Sequence, residues 1–156
     1  DELFGTTSIY DSSQIIAGAD YIYVYDEDYS RLLKFGYDGS LAGSASMSGY
    51  YIIRITASGD YIYGTGSDYN ESGIMIKINS SMTVESDHSY NCGPLFDMTP
   101  LSDGSFILCG TDTQGGLQSS SNMVLLRTDK NGDCDEKSGT VKEDGEKLSV
   151  RFDRLK

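Results

Sequence analysis

Near the end of the chain, oxygen-bearing side chains recur at alternate positions: Asp129, Asn131, Asp133 and Asp135. Ca²⁺ is a hard cation that takes roughly six to eight oxygens, and this spacing lets a single loop wrap it. Where such a loop wants Gly at its sixth place, this chain has Cys134. The alternative is a hairpin turn decorated with acids. Asp26, Glu27 and Asp28 carry the same two readings with less spacing information. Ca²⁺ is the one cofactor these patterns suggest.

Cys92, Cys109 and Cys134 show no CxxC spacing, so they do not read as a zinc site. Cys109 sits in an apolar run and reads as a buried free thiol inside a strand. Cys92 and Cys134 fall in successive repeats, and a disulfide between them is expected if the chain is extracellular. Asn70-Glu71-Ser72 and Asn79-Ser80-Ser81 match the N-glycosylation acceptor pattern. His88, the only histidine, would have to be the base of any Ser-His-Asp chemistry. It lies between polar residues, and no Gly-x-Ser-x-Gly elbow accompanies it, so it reads as a surface histidine. Tyr29 and Tyr69 occupy corresponding loops beside acids, where exposed rings suit a sugar- or peptide-binding rim; ordinary loop packing is the alternative. Paired carboxylates for glycoside hydrolysis cannot be picked out by spacing, because their separation is a property of the fold.

The 156 residues carry a net charge of −12, which argues against a nucleic-acid partner, since that needs a basic face. No apolar run approaches the ~20 residues of a membrane-spanning helix. The acidity is concentrated: the first 128 residues hold 16 acids against 5 bases, whereas the remainder is nearly neutral.

The residues that could do this chemistry hang on a repeat. Ala19-Asp20-Tyr21-Ile22-Tyr23-Val24 returns as Gly59-Asp60-Tyr61-Ile62-Tyr63-Gly64, and then as Gly104-Ser105-Phe106-Ile107-Leu108-Cys109. That alignment sets Phe106 opposite Tyr61. Each run is followed by an apolar stretch ending in a base (Lys34, Lys77, Arg127) and then by a turn. The three units are about 13–50, 51–93 and 94–135, a period in the range of propeller blades. Tyr, Ile, Val and Thr fill the runs while Gly, Asp, Asn and Ser punctuate them, so the chain is expected to be all-β with essentially no helix. Three units of this length also suit a β-trefoil. Runs apolar on both faces, such as Tyr21 to Tyr25, favour stacked four-stranded blades over a barrel with a wetter outer face. Residues 136–156 form a charged tail. In it Leu148, Val150 and Phe152 alternate with polar residues, as in a capping hairpin strand.

Asp20 to Asp26, then Arg31-Leu32-Leu33-Lys34-Phe35 and Asp38-Gly39-Ser40, resemble an NHL-type β-propeller blade. Asp103 to Thr111, then Val124 to Asp129 and Asn131-Gly132, resemble blades of secreted bacterial propellers. The resemblance implies binding and scaffolding in preference to catalysis. Three blades do not close a ring of the usual four to eight, so unpaired edges await a partner. The chain is therefore expected to be a partial propeller or half of a six-bladed ring, self-associating through its open edges. The expected function is that of an extracellular or cell-surface recognition module for protein or glycan. The alternatives are a structural subunit of an extracellular assembly and a glycan-active hydrolase using loop carboxylates.

Overall fold

The computed structural model describes residues 14–111 and 123–134, together with the backbone alone of residues 139–141, 143–144 and 147–148. These residues form strands and turns, with no helix among them. The first sheet is an antiparallel meander of β1 (Gln14–Ala17), β2 (Tyr21–Asp26), β3 (Arg31–Gly36) and β4 (Leu41–Ser46). The second repeats it with β5 (Tyr50–Ser58), β6 (Tyr61–Asp68), β7 (Gly73–Ile78) and β8 (Val84–Tyr90). The third contains β9 (Leu95–Pro100), β10 (Phe106–Thr111) and β11 (Met123–Thr128). Its fourth strand, β12 (Gly139–Val141), comes from the stretch 136–156 that the sequence reading set apart as a cap. β13 (Glu143–Asp144) and β14 (Lys147–Leu148) form a separate two-stranded hairpin.

The β-trefoil alternative is not what forms. The strands fall into separate meanders, and no barrel closes among the described residues. The reason is that β6 and β7 bury both faces, Ile62 and Ile76 toward the first sheet and Tyr63 and Met75 toward the third, which stacked sheets allow; tight turns build each meander. Asp38, Asn79 and Asp103 each accept backbone N–H bonds within a tight turn, returning the chain beside its own preceding strand. Gly39 and Gly104 supply the positive φ those reversals need.

Strand register shows which residues are equivalent. Lys34 pairs opposite Tyr23, Lys77 opposite Tyr63 and Arg127 opposite Ile107, so the three bases share one structural position. Bulges confirm the frame: β5 slips past Ile53 opposite Gly66, and β9 slips past Phe96 opposite Gly110. Phe106 therefore takes the place of Ile62. Aligning Phe106 with Tyr61 is wrong by one residue, and a slip of one residue moves a side chain to the other face of a strand. Ser105 is the true counterpart of Tyr21 and Tyr61.

The core lies between the sheets. Tyr25, Leu32, Met47, Ile74 and Ile76 fill the first interface, and Tyr63, Met75, Leu95, Phe106 and Leu108 the second. β5 lies beside both β1 and β9. The Gln14 side chain spans the first gap, its Nε2 donating to Ile53 O and its Oε1 accepting from Ile55 N at 2.8 Å. At the equivalent place, Arg54 Nε donates to Asp97 Oδ1 at 2.9 Å.

Candidate functional site

The turns after β1 and β5 rise side by side and frame a cleft of about 230 Å³ between the first two sheets. Backbone geometry shapes the first turn, where Gly18 N donates to Tyr21 O at 2.8 Å and Tyr37 OH braces Gly18 O at 2.7 Å. Gly59, with a φ of 59°, makes the second. Asp20 and Asp60 stand exposed at the mouth. Tyr21 and Tyr23 form the aromatic wall, because alternate residues of one strand face the same way, whereas Tyr61 turns its ring from β6 toward the second interface. Burial, aided by the nearby Tyr21 and Asp20, raises the Tyr23 phenol above its usual range, so it stays a hydroxyl donor at neutral pH.

Lys34 forms the inner wall. It is only 8% exposed, its Nζ lies 3.9 Å from the centre of the Tyr21 ring, and it donates to Ser80 O at 2.8 Å. The two equivalent bases are neutralised differently. Lys77 lies 4.0 Å over Tyr61 and 3.8 Å from Glu85, whereas Arg127 pairs with Asp103 at 2.7 Å. β4 carries no acid at all, so Lys34 has no carboxylate partner among the described ion pairs.

The residues singled out by sequence lie elsewhere. Tyr29 and Tyr69 are 67% and 74% exposed, in the turns after β2 and β6, at the opposite strand ends from the cleft. Tyr29 lies under the Arg31 guanidinium at 4.7 Å, and Arg31 in turn pairs with the buried Asp26 at 2.9 Å. The Asp129 loop is fastened as a turn: Asp129 Oδ1 accepts from Asn131 N and Asp133 N at 2.7 and 3.0 Å. Tyr90 OH donates to Gly132 O at 2.7 Å, and His88 packs against Gly132 with its Nδ1 3.8 Å from Asp133. Asp135 lies outside the described residues. Among the described residues no three His, Cys, Asp or Glu side chains gather as a metal-binding group.

Asn70 is exposed, whereas Asn79 is engaged by Ser81 N, Thr83 N and Glu85. Cys92 and Cys134 belong to the same apolar cluster, but the disulfide expected between them does not form, and Cys109 is half-buried, not buried. Burial pushes the Cys92 thiol up to about 11. The cleft itself escaped the sequence reading, although the doubled Asp-Tyr-Ile-Tyr run was its visible trace. What made it a site was the pairing of two such turns across an interface.

No family model matches the chain, and no curated protein matches it either. Among solved structures it is similar to a protein of unknown function from Bacteroides caccae, with a TM-score of 0.62 at 16% identity. The match covers 88% of this chain and 53% of that one, so the chain spans about half the length of the structure it resembles. The likeness supports the all-β fold.

Proposed function

We propose that the chain is a non-catalytic, extracellular recognition module built of propeller-like blades, and that it binds its ligand in the cleft between the first two. The observation that carries this reading is the cleft: aromatic walls, a buried cation and two exposed carboxylates converge in one concavity, as in small-ligand sites. Binding is favoured over hydrolysis because Asp20 and Asp60 both stand in water, while a general acid at neutral pH needs a carboxyl screened from it. The test is an array of oligosaccharides and peptides probed with the native chain and with Asp60→Trp, which plugs the mouth without touching the core. Retention of one ligand class, lost in Asp60→Trp, is expected. Equal retention by both proteins overturns the assignment, and release of new reducing ends favours the hydrolase.

A second reading, assembly through an open blade, has its own support. The face of the third sheet equivalent to those that receive the next sheet presents Ile107, Cys109 and Leu125 half-buried, with Arg127 exposed. A mass in solution that rises with concentration supports assembly; a fixed monomer mass removes it.

A further inference from the structure

We infer that the cleft between the first two sheets takes an acidic saccharide, with the sugar carboxylate on Lys34. The inference rests on the cleft being the ligand site and adds the class of ligand.

It begins from the three equivalent bases. Two have an internal acid: Glu85 for Lys77 and Asp103 for Arg127. The third, Lys34, is more than nine-tenths buried, lines an open cavity, and among the described residues meets only a carbonyl and a ring. A buried cation is costly unless it is paired. The carbonyl takes one of its three N–H donors, leaving donors for a guest, and a carboxylate is the guest that gains most from a poorly hydrated ammonium.

The rest of the site restricts what that carboxylate is attached to. Asp20 and Asp60 at the mouth accept hydrogen bonds, so the outer part of the guest must be a donor. A simple dicarboxylate or phosphate would instead set like charge against them. Tyr21 and Tyr23 offer ring surface and phenolic hydroxyls to an amphipathic body. A uronic-acid ring satisfies all three demands, with a carboxylate inward, hydroxyl donors outward and C–H faces against the aromatics. A cleft of about 230 Å³ suits one such residue of an oligosaccharide.

Calorimetric titration of the intact chain with trigalacturonate, maltotriose and acetate tests the assignment at 0.15 M and 0.5 M salt. Trigalacturonate should bind at least tenfold more tightly than either other probe and weaken at the higher salt. Lys34→Gln should lose at least tenfold of that affinity, Lys34→Arg should retain most of it, and Lys77→Gln should match the native chain. Urea unfolding of each variant shows that it is folded, and Asp60→Asn supplies an independent variant outside the core. Maltotriose binding as tightly as trigalacturonate, with loss in Asp60→Trp, overturns the acidic-sugar assignment but leaves the recognition cleft standing. Binding of trigalacturonate unchanged in Lys34→Gln overturns the role of Lys34. Acetate binding as tightly as the sugar overturns the saccharide. No binding by any probe overturns the inference, and the array with Asp60→Trp then decides the cleft separately.

Discussion

Thr65 is fully buried, and its hydroxyl has no hydrogen-bond partner among the described residues. A buried hydroxyl without a partner retains its desolvation cost, so Thr65→Val, which keeps the shape, should raise stability by about 1 kcal/mol in urea unfolding. A loss of stability would show that the hydroxyl is satisfied in solution. Gly66 has the opposite constraint: an added Cβ would sit 1.7 Å from Tyr51 O, at the bulge in β5. Gly66→Ala should cost about 2 kcal/mol or more, because backbone cannot yield as a side chain can. Cys92 sets a pH window. Its thiol is raised from 9.0 to about 11, so the folded state holds that proton more tightly than the unfolded one. The contribution is complete below pH 9 and is lost as pH rises through 11, a fall that Cys92→Ala should reduce. Residue chemistry of this kind was only partly legible in the sequence. Cys92 as a loop cysteine could be read from its neighbours, but its burial depends on Leu95 and Phe106 arriving from another sheet.

At the scale of the element, strand content was legible because Tyr, Ile and Val fill runs bounded by Gly and Asp, as in Tyr21 to Asp26. Register was not. Phe106 looks like Tyr61 in composition, but the bulges at Ile53 and Phe96 fix its frame, and they place it with Ile62. That single step explains why the third sheet lacks the ring beneath its base: Ser105 stands there, and Arg127 turns to Asp103 and to Ser105 Oγ. The link between β1 and β5 is equally local. Gln14→Ala removes the acceptor for Ile55 N and the donor to Ile53 O, and should cost about 1 kcal/mol by urea titration. An unchanged midpoint would show that strand packing alone holds β1 to β5.

For the whole molecule, the net charge of −12 hides a local reversal: Lys34, held within an interface with no acid paired to it among the described residues, faces a cleft whose rim is acidic. The sequence pointed to the rim of Tyr29 and Tyr69, because exposed rings beside acids are visible in one dimension. The cleft needs two turns 40 residues apart to meet across an interface, and no single stretch of chain contains it. The two sites lie at opposite ends of the strands, so a measurement of position separates them. Amide shift mapping of the ¹⁵N-labelled chain, titrated with trigalacturonate and maltotriose, tests the account most directly. Perturbations are predicted at Gly18, Asp20, Gly59, Asp60 and Ser80; perturbations centred on Tyr29 and Tyr69, or none with either sugar, would contradict it.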